Sequence, residues 1–248
     1  MITVENLSHS YPDGTLALRS VSLTVRKGEF MVLCGPNGGG KTTLLRHLNG
    51  LLKPTAGKVL LDGMDVSEEP RQVATQVGMV FQDPDSQILG ETVWEDVAFG
   101  PENLGLSSDE VKRRVERALE LTDLRDLAHK PCLWLSGGER KRLAIAGVLA
   151  FNPETLILDE PFANLDYPST LQLLRRIVLL HAEGHTIVLS THDVEKVVAH
   201  AARIAVLAGG ELKLVGPPET VLSRLEAFGV RPPCHHLMGF PVPSWIQS

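Results

Sequence analysis

Gly35-Pro36-Asn37-Gly38-Gly39-Gly40-Lys41-Thr42-Thr43 is the stretch whose reading decides the fold. It follows the pattern G-x-x-x-x-G-K-[ST]. Before it lies an apolar run, Phe30–Cys34, that reads as a buried strand; after it, Leu44, Leu45 and Leu48 form one helical stripe that ends near Asn49-Gly50. Glycines suit a backbone that must wrap anionic oxygens with its N–H groups pointing inward, because a Cβ clashes at positive φ. A helix beginning at Lys41 adds the partial positive charge of its N-terminus. In that setting Lys41 is expected to reach the β- and γ-phosphates of a nucleotide, and the Thr42 hydroxyl to ligate Mg²⁺.

Outward from this loop the chain alternates. Short β-branched runs, Ile2–Leu7 and Val21–Val25, precede it, joined by a turn at Pro12-Asp13-Gly14. A polar stretch, Ser67 to Gln76, leads to a strand candidate at Val77–Phe81, followed by about fifty residues that read as a mostly helical insert. Within the insert, Ser107-Ser108-Asp109-Glu110 marks a helix start ahead of Val111, Val115, Leu119 and Thr122. Beyond it come a helix from Gly137 to Ala150, a strand at Thr155–Leu158, a helix at Pro168–His181 and a strand at Thr186–Ser190. A helix at Asp193–Ala201 and a strand at Arg203–Leu207 complete the series. Such alternation predicts an α/β fold with a mainly parallel sheet covered by helices.

Composition narrows the class. The 248 residues carry 24 Lys+Arg against 30 Asp+Glu, a formal charge of −6, with 43% hydrophobic and 22% charged residues, as in ordinary globular chains. A membrane-spanning helix needs about 18 apolar residues, and the apolar stretches are broken by charges such as Arg142 and Arg175-Arg176. The start, Met1 to Glu5, lacks a secretory signal, and Cys34, Cys132 and Cys234 are too scattered for a disulfide framework; both lead to an expectation of cytosolic residence. The acidic balance argues against nucleic acid as a partner.

A second element of chemistry is Thr155-Leu156-Ile157-Leu158-Asp159-Glu160-Pro161, an apolar strand that delivers two carboxylates at its C-terminal end, where ligands of open α/β sheets bind. Asp159 is placed to hold the Mg²⁺ shell and Glu160 to polarise an attacking water.

Leu135-Ser136-Gly137-Gly138-Glu139 resembles the signature of ATP-binding-cassette (ABC) ATPases. Gln82 is similar to that family's Q-loop glutamine, Ala163-Asn164-Leu165-Asp166 to its D-loop, and His192 to its switch histidine. Tyr11 sits where the family places an aromatic that stacks on adenine. These matches run in the family's order from Tyr11 to about Val215. The resemblance implies a P-loop NTPase core with a mainly parallel sheet, an antiparallel β subdomain and a helical subdomain at about 83–150, within an ATP-binding domain of 1–230 and a tail of 231–248. It also implies ATP and Mg²⁺ as cofactors, with Thr42, Gln82 and Asp159 around the metal. Glu160 would act as general base, His192 would contact the γ-phosphate region, and Gln82 would sense Mg²⁺ and the membrane partner. Two copies would pair head to tail, each completing its partner's nucleotide site with Ser136, Gly137 and Gly138, and Asp166 of the D-loop would also be nucleotide-binding. The sequence departs from the family pattern in three places: Gly39 replaces a common serine, Phe162 a small hydroxyl residue, and Glu139-Arg140-Lys141 a glutamine-rich run.

Phe81-Gln82-Asp83-Pro84-Asp85-Ser86-Gln87-Ile88 and Thr92 to Pro101 resemble the energy-coupling-factor (ECF) branch of ABC importers; Phe99 to Leu104 and Glu139 to Arg142 look most like its cobalt/nickel members. That implies a peripheral ATPase subunit at the cytoplasmic face of the membrane. Its partners would be a second ATP-binding subunit, identical or a paralogue, and an integral membrane subunit docking near the Q-loop and helical subdomain. An ECF vitamin importer is the alternative. A soluble ABC ATPase acting on nucleic acid or ribosomes is less favoured, because one phosphate loop and a short interval to Ser136 leave no room for a coiled-coil insert. Ile88, Leu89, Val93 and Trp94 either form a groove for a partner helix or close the insert's own core. Cys234-His235-His236 reads as surface tail rather than metal site, since three adjacent ligands rarely share one metal.

Overall fold

The computed structural model describes residues 1–246. Its first half contains strands β1 (Ile2–Ser10), β2 (Leu16–Val25) and β3 (Phe30–Cys34), helix α1 (Lys41–Leu48), strands β4 (Ala56–Leu61) and β5 (Met64–Asp65), helix α2 (Pro70–Gln76) and strand β6 (Val77–Val80). Helices α3 (Val93–Asn103), α4 (Ser108–Thr122) and α5 (Gly137–Leu149) follow. Then come strand β7 (Thr155–Asp159), helix α6 (Tyr167–Ala182), strands β8 (Thr186–Thr191), β9 (Arg203–Ala208) and β10 (Glu211–Gly216), and short helices α7 (Pro218–Val221) and α8 (Cys234–Leu237).

Two sheets result. One is antiparallel, in the order β2-β1-β4-β5; the other runs β10-β9-β3-β8-β7-β6 and is parallel except where β10 pairs with β9. The period of two along the central strands separates two cores. Phe30, Val32 and Cys34 point into a core shared with the helical subdomain, whereas Met31 and Leu33 point into a core shared with α1 and the antiparallel sheet. Leu156 and Leu158 against Ile157, and Ile187 and Leu189 against Val188, repeat the division.

The helical subdomain depends on its caps. Thr92 and Glu95 form a reciprocal capping box at the start of α3, Ser136 and Glu139 another at the start of α5, and the Ser107 hydroxyl caps α4. Val93 is fully buried, and Ile88 and Trp94 pack against the larger core, while Leu89 is 67% exposed. The apolar residues of this segment therefore divide between core and surface.

Several segments differ from the sequence reading. Asp193–Ala201 forms two 3₁₀ turns, Val194–Lys196 and Val198–His200, instead of a helix. Val194, Val197 and Val198 are all buried there, and β-branched side chains at that density resist the α conformation. The polar stretch before β6 contains α2, opened by Pro70 at its first position and anchored by Val73, its one buried side chain. Strands β4, β5 and β10 lie in segments given no element from sequence. The tail is not loose: Ser244 is buried and hydrogen-bonded to His200 Nε2 at 3.0 Å, Trp245 lies 5.7 Å from Tyr167 between ring centroids, and Val242 and Ile246 pack on the core. Among the described residues no helix is long and apolar enough to cross a membrane, and no cluster of three or more His, Cys, Asp or Glu side chains could hold a metal.

Candidate nucleotide site

The loop from Gly35 to Gly40 leaves β3 and enters α1 at the C-terminal edge of the parallel sheet. Its backbone presses against the end of β9. A Cβ at Gly35 would lie 1.9 Å from the Leu207 carbonyl oxygen, and one at Gly39 would lie 2.8 Å from that oxygen and 2.9 Å from the Pro36 oxygen. Glycine at position 39 is thus part of how tightly the loop closes. Gly40 caps α1 at φ 101° and supplies no side-chain cap, so the first N–H groups of α1 remain available to an anion.

These groups open into a cavity of about 630 Å³ lined by Tyr11, Asn37, Lys41, Thr42, Gln82 and Glu160, among others. Lys41 is 7% exposed, and its Nζ donates to the Gly35 and Pro36 carbonyls at 2.9 and 3.2 Å and lies 3.8 Å from Glu160 Oε1. Thr42 Oγ1 donates to Asp159 Oδ2 at 2.7 Å; the other Asp159 oxygen accepts from Ser190 Oγ at 2.5 Å. A hydroxyl and a carboxylate held this way, with the Gln82 amide on the same cavity, are hard oxygen donors that fit Mg²⁺. Tyr11 is braced by Thr43, hydroxyl to hydroxyl at 3.0 Å, and by His9 edge-on at 4.7 Å.

Glu160 has φ 45°, a strained value for a residue with a side chain, and β8 holds it there: its N–H donates to Ser190 O at 3.1 Å and Ser190 Oγ at 3.0 Å. One carboxylate oxygen, Oε2, pairs with His192 Nδ1 at 3.0 Å. The other, Oε1, is buried without a hydrogen-bond partner beside the cavity. Buried polar atoms are normally satisfied, so this oxygen is a ready acceptor.

Ser136, Gly137, Gly138 and Asp166 do not line that cavity. The Ser136 hydroxyl accepts the Glu139 N–H at 3.2 Å, which leaves its own proton free to donate. Gly138 lies against α6, where a Cβ would meet Ser169 Oγ at 2.9 Å. Asp166 caps α6 by accepting the Ser169 N–H at 3.0 Å, and the Ser169 side chain, together with that N–H, lowers its pKa.

Several residues around the cavity were not singled out from sequence. Ser190 touches both acidic neighbours, Asp159 and the Glu160 N–H. Gly209 and Gly210, the turn between β9 and β10, line the cavity wall; a Gly-Gly pair between apolar runs is the hairpin signal that marks them. Lys141, noted only as a departure from a pattern, is 5% exposed, and its Nζ donates to the Gln82 carbonyl. Its spacing from Ala144, Ile145 and Val148 already places it on the buried stripe of α5.

Comparison with known proteins agrees with this architecture. Residues 18–163 match the family model described as ABC transporter. The energy-coupling factor transporter ATP-binding protein EcfA of Methanothermobacter thermautotrophicus is 48% identical over 229 residues, spanning 91% of this chain and 74% of that one. The cobalt import ATP-binding protein CbiO of Rhodobacter capsulatus is 46% identical over 239 residues, spanning 94% and 85%. Among solved structures, CbiO1 from Clostridium perfringens, part of the ABC transporter complex CbiONQ, superposes with a TM-score of 0.82 at 37% identity, covering 96% of this chain and 98% of that one.

Proposed function

Because the chain belongs to the ABC transporter ATPases, in their energy-coupling-factor group, we propose that it drives uptake of cobalt or nickel ion by closing and opening on ATP against a second cassette. The observation that carries the head-to-tail arrangement is the separation of two half-sites. Lys41, Thr42 and Glu160 line a cavity, while Ser136 to Gly138 sit at a helix start outside it.

In this reading the N–H groups at the start of α1 and the Lys41 ammonium bind the β- and γ-phosphates. Mg²⁺, held by Thr42, Asp159 and Gln82, would neutralise charge on those phosphates. Tyr11 stacks on the adenine. Glu160 Oε1 takes the proton of the attacking water, and His192 holds the other oxygen so that the carboxylate stays aimed. Ser136 and the backbone of Gly137 and Gly138 reach the γ-phosphate bound by the second copy, next to Asp166. Closure then depends on that phosphate, and its loss on hydrolysis releases the pair.

A membrane subunit docks where Leu89 and Phe99, 67% and 50% exposed, border a small cavity against α5. The protein therefore acts as a peripheral subunit on the cytoplasmic face. Cobalt or nickel as cargo rests on the stretch Phe99 to Leu104 and on similarity to a cobalt import protein. Steady-state phosphate release by the purified chain, with and without Mg²⁺, tests the activity; co-purification from native membranes tests the partner. Mg²⁺-dependent release and a co-eluting integral membrane protein are expected. Recovery from cytosol on ribosomes or DNA would overturn the transport reading.

A further inference from the structure

Helix α5 carries the signature at its first turn and two basic residues directly behind it. Lys141 reaches the Gln82 carbonyl, and Arg140 Nε lies 3.5 Å from Asp85 Oδ1. The two therefore grip both ends of the turn Gln82 to Asp85. The far side of that turn is closed by Gln87, whose Oε1 accepts the Phe81 N–H at 2.7 Å and whose Nε2 donates to the Met79 carbonyl at 2.9 Å. Gln82 is held by its carbonyl and lines the phosphate cavity.

A lysine buried to this degree is costly unless its charge is answered. Lys141 makes no ion pair among the described residues. Burial lowers its pKa, and the more distant carboxylates of Asp83, Asp159 and Glu160 pull it back up. Its direct partner is one backbone carbonyl, and of the carboxylates that stabilise it Asp83 lies in the gripped turn while Glu160 lines the phosphate cavity. A residue kept only for packing would not need an ammonium group at that point.

We propose that Lys141 is a positioning residue that sets the Gln82 side chain from the signature helix, so that a shift of α5 by the partner's nucleotide is felt at this chain's own phosphate site. The proposal rests on the two-half-site function above and adds a mechanical link between the halves. A tether of this kind acts on turnover and Mg²⁺ use rather than on nucleotide capture, because Lys41 and the loop N–H groups are untouched.

The test measures phosphate release, ATP affinity without Mg²⁺ and half-saturating Mg²⁺ for Lys141→Met, Lys141→Gln and Lys141→Arg, each alone and combined with Gln82→Ala. In Lys141→Met, kcat is expected to fall roughly tenfold to a hundredfold, the scale of a displaced catalytic group, while ATP affinity without Mg²⁺ stays within about twofold. Half-saturating Mg²⁺ rises. Lys141→Arg recovers most of the rate. Lys141→Gln, which keeps a donor for the carbonyl and serves if the methionine variant does not fold, falls between them. On the Gln82→Ala background each Lys141 change costs less than about twofold more, because residues acting as one unit are not additive. Wild-type kcat in both Lys141→Met and Lys141→Gln, or additive loss with Gln82→Ala, would overturn the proposal. A wild-type chain without Mg²⁺-dependent phosphate release would overturn the function itself and this proposal with it.

Discussion

In the phosphate cavity the reactive residues are tied to others far away in the sequence: the Thr42 side chain to Asp159, Asp159 to Ser190, the Glu160 N–H to Ser190 and the Glu160 carboxylate to His192. At the start of α5 the ties are local. Ser136 exchanges hydrogen bonds with Glu139 three residues on, Asp166 accepts the Ser169 N–H at the start of α6, and Leu133 and Trp134 beside the signature are 88% and 73% exposed. The first region is organised by folding alone, because three strands and a helix converge on it. The second is two finished helix ends that add chemistry only when something is brought against them. Preorganised groups in a water-poor cavity stabilise developing charge strongly, whereas exposed caps act through docking.

The contrast is most directly broken by Glu160→Gln. It should reduce phosphate release by about 10²- to 10⁴-fold, the range for loss of a general base, and leave ATP affinity nearly unchanged. Rapid turnover in that variant would show that the cavity does not hold the base. Next in size is Ser136→Arg, expected to lower kcat by about a hundredfold, as for loss of a phosphate donor, and to abolish ATP-dependent dimerisation seen by light scattering. Nucleotide binding by the single chain should persist; its loss would place the signature within the chain's own site.

Gly39→Ser sharpens the cavity side. With the Leu207 oxygen 2.8 Å from the new Cβ, the loop must shift, and a cost of about 1–3 kcal/mol in folding stability is expected from denaturant unfolding. A stability gain would mean that the loop relaxes freely.

The smallest effect is a pH dependence. Burial lowers the pKa of His47, which sits behind the cavity with its Nδ1 2.7 Å from the Thr43 carbonyl and is paired with His9. Its neutral form stabilises the fold above the ordinary value of 6.5; the unfolded chain binds the proton first, so stability falls as pH drops below 6.5. For Glu139, burial works to raise the pKa, but hydrogen bonds from Ser136 and Lys130 outweigh it and leave the pKa lowered, so the α5 cap stays ionised. Hydrogen exchange between pH 7 and pH 5 should therefore loosen α1 before the first turn of α5.

The same contrast explains what was legible in the sequence. Short motifs carry their own spacing, so the loop from Gly35 to Thr43, the strand ending at Asp159-Glu160 and the capping box at Ser136 to Glu139 could be read locally. The contacts of Ser190 and Gln87 are made by ordinary residues whose role appears only when β6, β7 and β8 stand side by side. Lys141 was legible as a charge on an apolar stripe but not as a partner of Gln82, which lies 59 residues away. Strand β4 was missed because its first three residues are exposed and only Val59 and Leu61 are buried, too weak an alternation to register.

The division of the central strands between two cores has a consequence for how such a protein can diversify. Substitutions on the face of Phe30, Val32, Leu156 and Leu158 are absorbed by the helical layer, and those on the face of Met31, Leu33 and Ile157 by the layer that carries α1. Sites that share no partners vary nearly independently. One face can therefore drift to suit a new membrane companion while the other keeps its phosphate chemistry, so the same engine can be refitted to different cargo routes.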